Sequence, residues 1–220
     1  ALAGNQGMIL VEDVLSTLQQ LALYHRRKLN LPVIAITGSN GKTTSKELIR
    51  EVLSTKFKVA CTKGNLNNHI GIPLTLLDIK AYEDISIVEM GANHQGEIAA
   101  YCNYTEPNFG VITNIGKAHL EGFGGIEGVI KGKTELYRYL ANNLNSKIFI
   151  NADDYILTKH TSNLLQILYG TNPVLPIHGK ILVDNSDNLV RDDIFAILEK
   201  SGVGIPEYYK PLAYEVEIEG

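Results

Sequence analysis

The sequence predicts an α/β fold with a doubly wound, mostly parallel sheet and a P-loop. Short apolar runs typical of buried strands alternate with segments of helical periodicity along residues 31–170. This alternation is typical of parallel sheets that carry helices on both faces. One run, PVIAIT at 32–37, leads through a glycine loop into a helix, which is the layout of a phosphate-binding loop.

Composition limits the class of protein. The chain has 220 residues, 45% of them hydrophobic, and a formal net charge of −4. No basic run indicates a nucleic-acid partner, and no apolar run reaches the ~18 residues of a membrane span. The two cysteines, Cys61 and Cys102, do not have metal-site spacing, so we expect reduced thiols and a cytoplasmic location. A monomer is the default expectation for the oligomeric state.

The chain divides into three predicted segments. Residues 1–30 are a linker and a helix at 11–29, where apolar residues recur at helical spacing. Residues 31–170 are the nucleotide-binding domain. Residues 171–220 are an atypical tail without a motif for chemistry.

The glycine loop carries the strongest functional signal. Its candidate cofactor-binding residues are Thr37, Gly38, Ser39, Asn40, Gly41, Lys42, Thr43 and Thr44. Gly38 and Gly41 allow backbone N–H groups to face an anion without an interfering Cβ. Lys42 can reach the phosphates of ATP, and the Thr43 hydroxyl can bind Mg²⁺. The loop is shorter than the general P-loop, which has a glycine where Ile36 stands, and a purely structural turn is the alternative.

Two further polar segments follow predicted strands. The loop after the strand at 58–62 contains four candidate substrate-binding residues, Asn65, Asn67, Asn68 and His69. Turn chemistry explains these side chains as well as a substrate-facing role does. The strand at 85–88 ends at Glu89, and ligands of open α/β sheets bind beyond the carboxyl ends of strands. Glu89 is therefore a candidate Mg²⁺ ligand, with a solvated glutamate as the alternative.

A predicted helix at 126–141 contains a lysine on its apolar face. Lys133 falls on that face, whereas Lys131 falls on the opposite one. A buried ammonium is costly, so Lys133 is expected to be paired or chemically altered. The alternative interpretation is a side chain whose charged end reaches solvent at the rim of the face. The preceding loop at 115–125 contains His119, and a lone loop histidine is more often an ordinary hydrogen-bonding residue than a ligand.

The remaining predicted elements complete the alternation. They are helices at 72–79, 96–104 and 191–202, strands at 109–114 and 147–151, a helix and a strand within 155–170, and an edge strand at 214–219.

Together these segments resemble the Mur ligase family, and in particular its D-alanyl-D-alanine-adding branch. The resemblance covers about residues 8–170. It rests on ITGSNGKTTSKE at 36–47, GNLNNHIGIPLTLL at 64–77, IVEMGANHQGEIA at 87–99, TNIGKAHLEGFG at 113–124, KGKTE at 131–135 and INADD at 150–154. The first segment is also similar to folylpolyglutamate ligases.

The resemblance implies an ATP-dependent amide ligase of peptidoglycan precursor synthesis, with ATP and Mg²⁺ as cofactors. ATP would phosphorylate the terminal carboxylate of a UDP-linked muramoyl tripeptide, and the amine of D-alanyl-D-alanine would attack the acyl phosphate. Thr43 and Glu89 would then hold one Mg²⁺. His119 and a carbamylated Lys133 would serve a second metal, with Lys131 as the competing assignment. The implied catalytic residues are Lys42, His119 and Lys133.

Three other functions stay open on the sequence. Residues 171–220 lack the adenine-contacting and acceptor-site motifs that the resemblance implies for a complete ligase. A nucleotide-binding module without ligase turnover is therefore one alternative. A folylpolyglutamate synthase-like ligase is the second, and a P-loop kinase or GTPase is the third.

Overall fold

The structure, a computed structural model, describes residues 9–143, 145–161, 166–175, 177–181 and 214–217. The strands within these residues are β1 (Val33–Thr37), β2 (Val59–Cys61), β3 (Ile85–Glu89), β4 (Phe109–Ile112), β5 (Lys147–Asn151), β6 (Gln166–Gly170), β7 (Ile177–Ile181) and β8 (Tyr214–Glu217). The helices are α1 (Val14–Leu29), α2 (Lys42–Ser54), α3 (Gly71–Asp78), α4 (Glu97–Thr105), α5 (Leu120–Phe123), α6 (Ile126–Lys133), α7 (Glu135–Ala141) and α8 (Tyr155–Lys159).

These eight strands form one sheet in the order β2-β3-β1-β4-β5-β6-β7-β8. Every neighbouring pair is parallel except β7 and β8, which are antiparallel. The prediction of a doubly wound, mostly parallel sheet is therefore confirmed. Among the described helices, none combines the length and the apolar composition that crossing a membrane would need.

Strand β1 shows how the sheet is buried. All five of its residues are buried. Val33 and Ala35 belong to the larger apolar cluster, whereas Ile34 and Ile36 belong to a second cluster that includes residues of α2. Because successive side chains of a strand point to opposite faces, the two clusters lie on opposite faces of the sheet.

The strand order places a ligand-binding edge at β1. Ile36 in β1 is opposite both Glu89 in β3 and Val111 in β4, so the carboxyl ends of these strands reach the same edge. The chain goes to one side of β1 to form β2 and to the other side to form β4. Such a reversal of strand order is where open α/β sheets bind ligands.

The single helix predicted at 126–141 is wrong, because the structure has two helices there. Helix α6 ends at Lys133, Thr134 divides the two, and α7 follows. The Thr134 hydroxyl donates to the carbonyl oxygen of Ile130 at 2.7 Å, and such back-bonding bends helices. The predicted loop at 115–125 also contains the short helix α5.

Part of the predicted tail joins the sheet. Strand β7 pairs with β6, and β8 forms the edge of the described sheet, which confirms the edge strand predicted near 214–219. The sheet therefore continues beyond residue 170, where the domain boundary is predicted. The helix predicted at 191–202 lies outside the described residues.

Candidate nucleotide and metal site

The glycine loop connects the carboxyl end of β1 to the start of α2. Gly38 has a φ of +143° and Gly41 a φ of +73°, a region of backbone conformation that favours glycine. A Cβ on Gly38 would lie 2.0 Å from the hydroxyl oxygen of Thr113. Glycine is therefore needed at position 38 because the chain after β4 approaches closely, a reason that the sequence did not reveal.

The chain after β4 also holds the loop by hydrogen bonds. The backbone N–H of Ser39 donates to the carbonyl oxygen of Asn114 at 3.0 Å, and that of Asn40 donates to Asn114 Oδ1 at 3.1 Å. The Thr113 hydroxyl donates to the carbonyl oxygen of Asn40 at 2.6 Å. Thr113 and Asn114 thus fix the shape of the loop. They were missed as site residues, although their place at the end of a strand was the available signal.

Helix α2 begins with the groups of an anion site. Gly41 is its N-cap, and no side chain caps the helix, so the N–H groups of the first turn can meet an anion. The Lys42 ammonium donates to the carbonyl oxygens of Gly38 at 2.9 Å and Ser39 at 3.2 Å. Burial lowers the pKa of Lys42, and the nearby Glu89 carboxylate opposes this shift. The ammonium therefore lies over the loop that a phosphate would enter.

Two of the predicted loop residues differ in exposure. Thr37 is buried, and its hydroxyl donates to the carbonyl oxygen of Met90 at 2.8 Å. Thr44 has an exposed side chain in the first turn of α2. Thr37 thus ties β1 to the chain after β3, and its role in cofactor binding stays a prediction, as does that of Thr44.

Thr43 and Glu89 come together beside the loop. The Thr43 hydroxyl donates to Glu89 Oε1 at 3.3 Å. The Glu89 side chain is buried, and its Oε2 accepts no hydrogen bond among the described residues. Hydroxyl, carboxylate and phosphate oxygens are the ligands that Mg²⁺ prefers, so these two residues fit a magnesium ion held together with a nucleotide. In the described part of the chain, three or more His, Cys, Asp or Glu side chains do not cluster as a metal site.

The four candidate substrate-binding residues in the loop after β2, at 65–69, lie in different environments. Asn67 Nδ2 donates to Glu89 Oε1 at 2.8 Å, which places Asn67 at the candidate metal site. Asn68 Oδ1 accepts the N–H of Gly71, the first residue of α3, at 2.8 Å, so this side chain has the turn and capping role. Asn65 and His69 have exposed side chains. Substrate binding by these four residues stays a prediction.

Lys133 is 1% exposed. Its ammonium donates to the carbonyl oxygen of Ala92 at 3.2 Å and lies 5.2 Å from the centroid of the Phe123 ring. Burial lowers the pKa of Lys133 to about 8, and the positive charge of Lys42 adds to this shift. Lys131 is exposed. The prediction that Lys133 faces inward and Lys131 outward is confirmed, whereas carbamylation stays a prediction.

His119 is exposed and has a φ of +53°, in the residue before α5. The same short helix contributes Phe123, whose ring lies beside the Lys133 ammonium. The fold thus brings the His119 segment towards Lys133. A shared metal between the two side chains stays a prediction.

The sequence did not indicate Lys46. This lysine is fully buried in α2 and lies 3.9 Å from Glu89 Oε2, measured from its Nζ. The available signal was its helical spacing with Ile49 and Leu53, which are also buried. Like Lys133, Lys46 is a buried ammonium on an apolar face, and such a charge is costly unless it is paired or chemically altered.

Comparison with known proteins agrees with this geometry. Residues 36–201 match the Mur ligase middle domain family. The UDP-N-acetylmuramoyl-tripeptide–D-alanyl-D-alanine ligase of Bacillus subtilis is 40% identical over 167 residues, which are 76% of this chain and 36% of the relative. The alternative of a P-loop kinase or GTPase is therefore wrong, because the chain matches the Mur ligase middle domain instead.

Solved structures give the same result. The chain is similar to MurF from Acinetobacter baumannii, with a TM-score of 0.71 and 33% identity over 78% of this chain and 38% of that one. It is equally similar to the MurF ligase from Thermotoga maritima in complex with ADP, with a TM-score of 0.71 and 33% identity over 78% of this chain and 40% of that one. The chain thus spans less than half the length of these relatives. It belongs to the Mur ligase middle domain family.

Proposed function

We propose that this chain is the ATP-binding part of an ATP-dependent amide ligase of peptidoglycan precursor synthesis. The observation that carries the proposal is the convergence of Lys42, Thr43 and Glu89 at the uncapped start of α2. The names of the relatives, and the ADP in the Thermotoga maritima structure, support the choice of nucleotide and reaction.

The loop and α2 would bind the nucleotide phosphates. Phosphoryl transfer depends mainly on positioning and on neutralisation of charge. The first-turn N–H groups of α2 and the Lys42 ammonium provide both. Thr43 and Glu89 would hold Mg²⁺, which when bound supplies further neutralisation of the phosphate charge. The exposed side chains of Thr43 and Thr44 leave the start of α2 open to the nucleotide.

We further propose that the substrates are a UDP-linked muramoyl tripeptide and D-alanyl-D-alanine. The tripeptide carboxylate would accept the γ-phosphoryl group of ATP, and the dipeptide amine would displace phosphate from the acyl phosphate, losing a proton. Of the four candidates for substrate contact at 65–69, Asn65, Asn68 and His69 are exposed and Asn67 is partly buried. His119 and Lys133, as a carbamate, are the candidates for a second metal.

Calorimetric titration with ATP, with and without Mg²⁺, tests the nucleotide site. We expect Lys42→Ala to weaken binding of Mg·ATP at least about tenfold, because a hydrogen bond to a charged group contributes about 1.5–3 kcal/mol. Lys56→Ala is the matched control, since Lys56 is exposed beyond the end of α2. Equal affinities for Lys42→Ala and the unsubstituted chain would contradict the proposed site.

A further inference from the structure

Lys46 lies one helical turn beyond Lys42 and is completely buried. Its ammonium donates to the carbonyl oxygen of Thr62 at 2.6 Å and lies 3.0 Å from Glu47 Oε1 and 3.9 Å from Glu89 Oε2. The Glu47 carboxylate is partly exposed, whereas Glu89 is buried. The charges of two lysines therefore act on the buried Glu89 carboxylate: Lys46 lies within 3.9 Å of it, and Lys42 also interacts with it electrostatically.

Packing alone does not explain a lysine at this position. Its neighbours on the inward face of α2, Ile49 and Leu53, are apolar and buried. A buried ammonium is tolerated only when oxygens satisfy it, and an apolar side chain of similar volume is often at least as stable. The packing of this face therefore does not by itself require a lysine at position 46.

The two oxygens of Glu89 have different surroundings. Oε1 accepts hydrogen bonds from Asn67 at 2.8 Å and Thr43 at 3.3 Å. Oε2 accepts none among the described residues and faces Lys46. The carboxylate is therefore oriented, with one oxygen towards the nucleotide loop and the other towards Lys46.

Thr62 fixes Lys46 relative to the sheet. The Thr62 hydroxyl accepts the backbone N–H of Glu89 at 3.0 Å, and the Thr62 N–H donates to the carbonyl oxygen of Ile87 at 3.0 Å. The Thr62 carbonyl in turn accepts from Lys46. One residue thus joins the ammonium of α2 to the strand end that carries Glu89.

We propose that Lys46 is a positioning residue for the metal and nucleotide site. Its ammonium lies against the buried Glu89 carboxylate, offsets part of its charge and holds it so that Oε1 points to Thr43. Groups that orient a metal ligand typically change metal affinity about 10–100-fold when they are removed. The proposal rests on the proposed binding of Mg·ATP at this site.

The test compares the chain with its Lys46→Met variant by calorimetric titration of ATP in Mg²⁺ and in EDTA. We expect the enhancement of ATP affinity by Mg²⁺ to fall about 10–100-fold, with little change in EDTA. A lysine that only supports the fold would leave this ratio unchanged. Lys56→Met is the matched control and should behave as the unsubstituted chain. An unaltered Mg²⁺ enhancement in Lys46→Met would overturn the proposal.

A second measurement applies even if Lys46→Met folds poorly. If Lys46 offsets the charge of Glu89, Lys46→Met combined with Glu89→Gln should unfold at a higher denaturant concentration than Lys46→Met alone, because no buried carboxylate is left without its nearest ammonium. A double variant no more stable than Lys46→Met would overturn the proposal. An unsubstituted chain that shows no Mg²⁺ enhancement would contradict the proposed function instead, and the comparison of stabilities would still decide whether Lys46 offsets the charge of Glu89.

Discussion

At the scale of single residues, Lys133 has unusual surroundings for an ammonium. Its hydrogen bond goes to the carbonyl oxygen of Ala92, and an aromatic ring covers it at 5.2 Å. Burial, with the charge of Lys42 added, lowers its pKa to about 8. A larger share of this amine than of an exposed lysine is therefore neutral near pH 8, and the neutral amine is the form that reacts with CO₂.

We predict that Lys133, and not Lys131, forms a carbamate in the presence of bicarbonate and Mg²⁺. The amine nitrogen bonds to the carbon of CO₂ and loses a proton to solvent, which replaces a buried cation by an anion. Carbon-13 NMR with labelled bicarbonate should show one carbamate signal that is lost in Lys133→Ala and kept in Lys131→Ala. The reverse pattern would assign the site to Lys131, and absence of any signal would contradict the prediction.

The lowered pKa of Lys133 leads us to predict that the stability of the protein depends on pH in CO₂-free buffer. Its folded pKa of about 8 lies below the usual value of 10.5, so the charged form destabilises the fold below about pH 8. This penalty disappears as the pH rises to 10.5. One pKa unit corresponds to about 1.4 kcal/mol, so the free energy of unfolding should rise by about 3 kcal/mol relative to Lys133→Met across this range. A difference between the two proteins that does not change with pH would contradict this account.

Some residue roles could be predicted from the sequence and others could not. Lys42 and Thr43 were predicted because strand, glycine loop and helix are consecutive in the chain. Asn67 and Lys46 were missed as partners of Glu89, because they lie 22 and 43 residues before it in the chain and contact it, at 2.8 Å and 3.9 Å, only in the fold. Periodicity places a residue on a face, but it does not show which side chains of other elements contact it.

At the scale of elements, α1 is anchored by one buried arginine. Arg26 donates to the carbonyl oxygens of Thr105 at 3.0 Å and Glu106 at 3.1 Å, and to Asn108 Oδ1 at 3.0 Å. Two of these acceptors lie at the end of α4. The guanidinium therefore supplies donors to a helix terminus whose carbonyl groups have no partners within the helix.

We predict that Arg26→Met lowers the free energy of unfolding by about 3 kcal/mol, because the buried Thr105 carbonyl and two part-buried acceptors each lose a donor. Arg27→Met is the matched control. Arg27 also bonds to Glu106, but its side chain is 63% exposed, and exposed ion pairs contribute little to stability. Urea unfolding of both variants gives the comparison. Equal losses for the two would show that α1 is not held by Arg26.

Elements with a continuous local pattern were predicted well. The buried run of β1 and the helical stripe of α2 each lie within one segment, and the structure has both. The division between α6 and α7 at Thr134 was not predicted, because the apolar pattern continues across it. Similarly, α5 has four residues, too few to produce a periodic signal.

At the scale of the whole molecule, the chain corresponds to about a third of the Bacillus subtilis relative. Ligation needs ATP, the tripeptide carboxylate and the dipeptide amine held together. Orienting two reactants can supply as much as about 7–11 kcal/mol of the barrier reduction. That contribution is lost for any reactant that has no pocket.

We therefore predict that these 220 residues alone form no pentapeptide from tripeptide, D-alanyl-D-alanine, ATP and Mg²⁺. Mass spectrometry of the product and phosphate release, each with and without the dipeptide, give the readout. The full-length Bacillus subtilis relative serves as the positive control. Product formation that depends on the dipeptide would show that this chain builds an acceptor site by itself.

The central claim is that a nucleotide binds where the glycine loop meets α2. Amide NMR of the ¹⁵N-labelled chain during titration with Mg·ATP tests this claim most directly, because the N–H groups proposed to bind phosphate are the observed groups. We predict the largest shifts at residues 38–44, smaller shifts at 113–116, and loss of both in Lys42→Ala. Amides at 38–44 that stay unchanged at saturating nucleotide, or shifts centred elsewhere in the chain, would contradict the account.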